Sequence, residues 1–498
     1  MGDQKKRSIP VLPWMRDPLD LTLFQQLPLH SLPSLHPKLK LSLENMGISN
    51  LFPVQVAVWQ ETVGPGKFHR DLCVNSPTGS GKTLAYALPI VQLLSTRVVT
   101  CLRALVVVPT RDLAFQVKRV FDAIASPLGL RVGLVAGQSS FVEEISELVC
   151  APECELGISY DPEEVSFRVR RQLRSKVDIL VATPGRLMDH INTTKGFTLE
   201  HLQYLVVDET DRLLREAYQS WLPAVLELVQ SNDDNNFEPS DSFLPIGALT
   251  TRRRCGVERG FKDKPYPRLA KIVLSATITQ DPGRLVQLEL HHPLFLRAGP
   301  MRYRLPENLE SYKLTCERKV KPLYLVALLK SLEGEKCIIF TKSVESTHRL
   351  CKLLNCFGDL KIDMKEYSGL QHQRVRSKTL NDFRKGEFQV LVSSDAMTRG
   401  MDVEGVRNVI NYDMPKYVKT YVHRAGRTAR AGQTGRCFTL MSNDEVRQFK
   451  KLMQKAEASS CPEHSIQSNL IEALHPTYES ALKKFKEKIS KVGKKPND

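Results

Sequence analysis

The chain has 498 residues, with 71 Lys and Arg against 55 Asp and Glu, giving a formal net charge of +16. That length predicts two or three domains, and 42% hydrophobic with 25% charged residues exclude a mostly disordered chain. No apolar run approaches the ~20 residues of a membrane span, so no membrane partner is expected. The positive excess points to a polyanionic partner without separating nucleic acid from acidic protein.

In chain order, residues 1–10 are charged with no apolar run behind them, which predicts no secretory leader, and Lys6 stands where a myristoylation signal wants Ser or Thr. Residues 1–45 carry Pro10, Pro13, Pro18, Pro28, Pro33 and Pro37, and predict an extension without long regular elements. Short apolar runs then recur at Leu72–Asn75, Ala104–Val108, Ile179–Ala182, Leu205–Val207 and Ile272–Leu274. A second series follows at Cys337–Phe340, Val390–Ser393, Val409–Tyr412 and Cys437–Leu440. Between them, Leu84–Leu94, Leu113–Ile124, His348–Leu354 and Ser377–Phe383 have helical spacing. Apolar strands without alternation, separated by amphipathic helices, predict parallel sheets covered on both faces. The class is α/β, with two domains in tandem. The boundaries that follow are an N-terminal extension 1–45, a first domain 46–297, a linker 298–313, a second domain 314–455 and a basic tail 456–498. Inserts near 145–170 and 231–268 interrupt the first domain; the latter opens acidic (Asp233, Asp234, Glu238, Asp241) and turns basic (Arg252–Arg254, Arg259, Lys262, Lys264, Arg268). Eleven scattered cysteines without a Cys-x-x-Cys pair predict reduced thiols in a cytosolic or nuclear protein, not a zinc site.

Ser76-Pro77-Thr78-Gly79-Ser80-Gly81-Lys82-Thr83 follows a strand and precedes a helix. Glycines let backbone N–H groups close around phosphate, and the helix N-terminus adds partial positive charge. Lys82 can reach the β/γ-phosphates of a nucleotide, and the Thr83 hydroxyl can ligate Mg²⁺. Ser76 stands where the full Walker pattern has Gly, so a Gly/Ser turn with a chance Lys-Thr is the bland alternative. The run Leu205-Val206-Val207 ends in Asp208-Glu209-Thr210-Asp211, acids at the sheet edge that also holds the phosphate loop. Asp208 suits Mg²⁺, and Glu209 can orient and deprotonate an attacking water. In the second domain, His423-Arg424-Ala425-Gly426-Arg427-Thr428-Ala429-Arg430 places arginines at i and i+3, on nearly one face of a helix. Three crowded cations call for an anion. A γ-phosphate would make Arg427 and Arg430 arginine fingers, while a solvated basic helix or an RNA-facing patch stays equally open.

Together these residues resemble the DEAD-box family of ATP-dependent RNA helicases, over roughly residues 46–453 and in the family's motif order. The resemblance implies two RecA-like domains, ATP and Mg²⁺ as cofactors, RNA as partner, and hydrolysis of ATP to ADP and phosphate. It assigns Pro109, Thr110 and Arg111 (within Pro109-Thr110-Arg111-Asp112-Leu113-Ala114) and Thr183, Pro184, Gly185 and Arg186 to RNA phosphates. Ser275-Ala276-Thr277 would couple hydrolysis to strand separation through Ser275 and Thr277. Gln373, Arg376 and Ser394 look like RNA contacts of the second domain, and Asp402 a nucleotide contact there. Gln55 matches the adenine-reading glutamine, joined at the nucleotide by Ser76, Thr78, Gly79, Ser80, Gly81, Lys82 and Thr83; Phe24 would be the stacking aromatic.

Several residues depart from the family pattern. Thr210 replaces an Ala, Leu51-Phe52 stand where Pro-Thr is usual, and Ala136-Gly137 replaces Gly-Gly. The neighbourhood of Gln55, the Asp-Glu-Thr-Asp motif and the second insert look most like the nucleolar subgroup that helps assemble large ribosomal subunits. That likeness implies a nuclear, nucleolar location (cytoplasm is the alternative), pre-ribosomal RNA as substrate, and protein cofactors reached through the inserts or tail. Closure of the two domains on ATP and RNA would make hydrolysis RNA-dependent. An ATP-gated RNA clamp or assembly scaffold with little unwinding shares every motif, and so does a DNA translocase of the same superfamily. The lysines from Lys483 to Lys495 read equally as an RNA-binding or import patch and as a solvated helix end.

Overall fold

The computed structural model describes residues 12–64, 70–77, 79–150, 173–215, 220–230, 268–276, 281–298, 305–306, 308–332, 334–357, 363–395, 403, 405–430, 433–456 and 461–492. The predicted inserts therefore lie largely outside the described residues. Two compact units divide the chain, one around each large sheet.

In the first unit the sheet runs Leu19–Asp20, Leu294–Arg297, Leu72–Asn75, Ala270–Ser275, Tyr204–Val207, Ala104–Val107, Ile179–Ala182 and Val132–Val135, with every neighbouring pair parallel. Because both faces are covered, its central strands are apolar apart from Lys271 and the terminal Asn75 and Ser275. Leu72, Val74, Ala104, Val106, Ile179 and Val181 enter one core, shared with Trp59, Tyr86 and Phe121 of the helices Pro53–Thr62, Lys82–Leu94 and Arg111–Ala125. Cys73, Leu105, Val107, Leu180 and Ala182 enter the opposite core, with Ile191 of Pro184–Thr193 and Leu226 of Trp221–Gln230. Successive residues point to opposite faces of a strand, so a sheet buried on both sides has no polar alternation to show.

The second unit repeats this arrangement with Leu309–Thr315, Gly435–Met441, Asn408–Asn411, Cys337–Thr341, Val390–Ser394 and Met364–Tyr367, again all parallel. The two parallel-sheet domains predicted in tandem are present, and five strands beyond the predicted set join the two large sheets among the described residues. These are Leu19–Asp20, Val132–Val135, Leu294–Arg297, Leu309–Thr315 and Met364–Tyr367.

Three segments placed outside the domains are built into them. Leu19–Asp20 of the extension pairs with Leu296 and Arg297, Trp14 meets Phe295 edge-on at 5.8 Å, and Pro37–Asn45 is a nine-residue helix. The expected linker 298–313 contains the start of Leu309–Thr315, which pairs along its whole length with Gly435–Met441. The expected basic tail contains the helix Ser468–Val492, whose Leu474, Tyr478, Ala481 and Phe485 are buried in the second unit's core. No helix among the described residues is long and apolar enough to cross a membrane.

Candidate active site and RNA-facing cavity

Each chemistry-bearing segment of the first unit leaves the carboxyl end of a parallel strand, so register alone gathers them at one sheet edge. Ser275 pairs with Asn75, and the Ser76 amide donates to the Ser275 carbonyl at 3.2 Å. Asp208 follows Val207, and its amide donates to the Val107 carbonyl at 3.1 Å. Thr183 continues Ile179–Ala182, and its amide donates to the Val135 carbonyl at 2.9 Å.

Gly79 and Gly81 sit at φ of +84° and +83°, a left-handed backbone that favours glycine, and Gly81 caps the helix Lys82–Leu94. Lys82 Nζ donates to the Ser76 carbonyl at 2.9 Å, folding the lysine over its own loop, and the Ser80 hydroxyl donates to the Pro77 carbonyl at 2.8 Å. Thr83 is in the first turn of the helix. Thr78 lies outside the described residues.

Asp208 is 5% exposed. Burial pushes its carboxyl up to about 6, and Lys82 opposes that rise while the Glu209 carboxylate adds to it. Tyr86 donates to Asp208 Oδ2 at 3.3 Å, and the Glu209 amide donates to Oδ1 at 2.8 Å. Among the described residues one cation, Lys82, acts on this buried carboxylate, which fits a site that takes a divalent cation with nucleotide phosphates. Glu209 itself is left-handed at φ +51°. The next residue helps to fix that turn: the buried Thr210 hydroxyl lies 2.8 Å from the Val207 carbonyl and 3.0 Å from that of Leu274. The alanine usual here would make neither contact. Ser275 Oγ donates to Asp211 Oδ1 at 2.7 Å, so the acidic turn is tied to the Ser275-Ala276 segment; Thr277 lies outside the described residues.

The Gln55 amide is already engaged. Its Oε1 accepts from the Phe52 amide at 2.8 Å, and its Nε2 donates to the Gly81 carbonyl at 3.1 Å. It caps the helix Pro53–Thr62 and holds the phosphate loop in this conformation. Phe24 is half buried against the first core.

The first unit's segments assigned to RNA converge on one cavity of about 410 Å³, lined by Pro109, Arg111, Ala136, Gly137, Thr183, Pro184, Gly185, Arg186 and Asp189. Thr110 serves it indirectly, its hydroxyl accepting from the Leu113 amide at 3.3 Å as the N-cap of Arg111–Ala125. The Ala-Gly departure fits here: Ala136 is buried in the first core, while Gly137 keeps a φ of +69° beside the Arg111 guanidinium. Arg186 Nε donates to Glu144 Oε2 at 2.7 Å, an acid that the sequence had not singled out. Its neighbour Glu143 forms a recognisable capping box with Ser140, and nothing in the pattern marks the next residue as inward-facing.

In the second unit the arginine cluster needs correction. The helix Val418–Ala425 stops before Arg427, because Gly426 caps it and Ala429 turns left-handed at φ +53°. Arg427 and Arg430 therefore do not project from one helix face. Arg427 Nε donates to the His423 carbonyl at 3.1 Å, and Arg430 Nε to that of Gly426 at 2.8 Å. Arg424 is buried and ion-paired through Nε to Asp395 Oδ1 at 2.5 Å, so the crowding of three cations is relieved within the chain. Gln373 opens the helix Gln373–Lys385, with Arg376 in its first turn. Ser394 ends Val390–Ser394 and is buried. Asp402 lies outside the described residues. No cluster of His, Cys, Asp and Glu among the described residues could hold a metal such as zinc.

Residues 52–285 match the DEAD/DEAH box helicase model, and residues 320–432 the helicase conserved C-terminal domain. The chain is 65% identical over 489 residues to the Arabidopsis thaliana DEAD-box ATP-dependent RNA helicase 1, covering 98% of this chain and 93% of that one. It belongs to the DEAD-box family. This helicase is also 38% identical to the human ATP-dependent RNA helicase DDX51, over 94% of its own length and 70% of the human chain. The Schizosaccharomyces pombe helicase dbp6 is 34% identical, with 90% of this chain and 75% of dbp6 covered. Among solved structures, Mss116p bound to single-stranded RNA and AMP-PNP superposes with a TM-score of 0.67 at 20% identity, covering 93% and 88%. Dbp5 from S. cerevisiae, bound to RNA and ADP BeF3, gives 0.64 at 17%, covering 89% and 98%. The fold is therefore the tandem RecA-like pair, and this helicase is an enzyme that binds RNA and hydrolyses ATP to ADP and phosphate.

Proposed function

We propose that this helicase couples RNA-stimulated ATP hydrolysis to local duplex unwinding or ribonucleoprotein remodelling on pre-ribosomal RNA, in the nucleus and its nucleolus. The observation that carries the catalytic part is the buried Asp208 beside Lys82, at the same edge of the parallel sheet as the cavity of Arg111 and Arg186. Lys82 and the amides of Gly79–Lys82 would hold the β/γ-phosphates, while Thr83 and Asp208 would hold Mg²⁺. The ion supplies charge neutralisation on the phosphate oxygens when bound. Glu209 would orient the attacking water and take its proton. Arg427 and Arg430 belong to the second unit, so the first alone lacks a complete catalytic set and turnover depends on both.

Pro109, Thr110, Arg111, Thr183, Pro184, Gly185 and Arg186, with Gln373, Arg376 and Ser394, would grip RNA by its backbone, Ser275 and Thr277 would couple the two sites, and Gln55 with Asp402 would attend the nucleotide. The proposed catalytic domains are the two units, the first including the strand Leu19–Asp20 and the second the strand Leu309–Thr315 and the helix Ser468–Val492. The lysines exposed on Ser468–Val492 and the inserts are proposed to reach protein partners. The ribosomal assignment is supported by the Asp208-Glu209-Thr210-Asp211 motif and the setting of Gln55.

Steady-state ATP turnover with and without RNA tests the catalytic reading. Lys82→Ala and Glu209→Gln are expected to abolish RNA-stimulated turnover, and persistence in either would overturn it. A duplex-displacement assay separates unwinding from clamping, which would retain RNA without displacing strands. Crosslinking in cells should recover pre-ribosomal RNA; recovery of messenger RNA alone would reject the ribosomal role.

A further inference from the structure

Beneath the cavity lies a polar network that the motif residues do not explain. Glu144, 1% exposed on the helix Phe141–Leu148, accepts from the Gly137 amide at 2.8 Å through Oε1 and from Arg186 Nε at 2.7 Å through Oε2. Fully buried His190 approaches the same Oε2 with Nε2 at 3.1 Å, and its Nδ1 lies 2.8 Å from the hydroxyl of buried Thr194. The Arg186 guanidinium carbon sits 4.8 Å from the centroid of the Phe141 ring, which itself lies 4.5 Å from that of His190.

Two of these partners, Gly137 and Arg186, line the cavity from segments that follow different strands, Val132–Val135 and Ile179–Ala182. One carboxylate therefore fixes both walls. A free arginine must give up rotamer freedom when it grips a phosphate, whereas one clamped at Nε over a ring has already done so. The carboxylate is also buried and neutralised by direct contacts, so its repulsion of a phosphate in the cavity is weak beside its ordering of Arg186.

We infer that Glu144, with Phe141 under the guanidinium, is a positioning residue for RNA: it holds Arg186 and the Gly137 amide in the geometry that receives a backbone phosphate. The inference rests on the reading of the cavity as an RNA site. Among the described residues Glu144 bonds to Gly137, Arg186 and His190 and not to the phosphate loop or the acidic turn, so its loss should act on RNA concentration dependence and spare ATP.

The test uses the full chain, a single-stranded RNA oligonucleotide and ATPase stimulation. Glu144→Gln is expected to raise the RNA concentration for half-maximal stimulation roughly tenfold, the value of one charge-assisted hydrogen bond, with the KM for ATP and the rate at saturating RNA unchanged. In an Arg186→Ala background the same substitution should add little, because its route to RNA has been removed. Phe141→Leu keeps the carboxylate and should shift half-saturation in the same direction by about twofold, which decides the matter if Glu144→Gln does not fold. Unchanged or tighter RNA binding in Glu144→Gln, with Arg186→Ala weakened, overturns the positioning role alone. Arg186→Ala with unaltered RNA dependence overturns the reading of the cavity instead.

Discussion

Two buried carboxylates sit near the same edge of the first sheet, and the chain treats them in opposite ways. Asp208 faces one lysine and one tyrosine, and burial raises its pKa to about 6. Burial also pushes on Glu144, yet hydrogen bonds from His190, Arg186 and the Gly137 amide more than offset it and hold its carboxyl below the ordinary range. A carboxylate satisfied within the fold belongs to the scaffold; one left short of positive charge is prepared for a ligand that brings its own.

Substitutions that remove each charge should separate the two. Asp208→Asn is expected to cut RNA-stimulated ATP turnover by at least about 100-fold, the scale on which a preorganised electrostatic group acts, while leaving the melting temperature in EDTA unchanged or higher. A clear fall in that melting temperature would break the contrast. Glu144→Gln reverses the pattern: about 1–3 kcal/mol of stability should be lost, read by urea denaturation, because three donors face an amide in place of a carboxylate.

The pH dependence sharpens the contrast. The Glu144 pKa is depressed in the fold, so its contribution is complete above the unfolded value of about 4.3 and is lost as pH falls through the lower folded value. Wild-type protein should therefore lose stability on acidification from pH 5 more steeply than Glu144→Gln; parallel curves would deny Glu144 its role. The smallest effect is expected from Asp189, a half-exposed acid in the cavity wall 3.6 Å from Arg186 Nη1. Asp189→Asn should tighten RNA binding by about twofold at low salt, and the gain should vanish as salt is raised.

What the sequence made legible follows from burial. Leu72–Asn75, Ile179–Ala182 and Cys337–Phe340 lie inside their sheets, where both faces select apolar residues. Val132–Val135 and Met364–Tyr367 are edge strands with partly exposed positions; Gly133 weakens the strand pattern of the first, and Lys365 and Glu366 break up the second. Leu19–Asp20 is too short to have a period. The phosphate loop and the acidic turn were readable because their chemistry is local, with residue types fixed at set spacings. Glu144 was not, because its meaning depends on Gly137, Arg186 and His190, which only the parallel registers bring together. Arg427 misled for a related reason: helical spacing was assumed past Gly426, where the backbone turns out of the helix. On Ser468–Val492 the helical spacing of Leu474, Tyr478, Ala481 and Phe485 is masked in the sequence by Lys483, Lys484, Lys486 and Lys488 around its end.

That last helix bears on how the protein is made. Its Tyr478 hydroxyl donates to the Lys319 carbonyl, 159 residues earlier, and Glu463 bridges to Lys313 at the edge of the second sheet. During synthesis the face of Lys321–Ser331 emerges long before the helix that covers it. The second sheet can thus pair all its strands while one apolar face still waits for its cover, an interval in which a chaperone or premature aggregation would compete for the same surface.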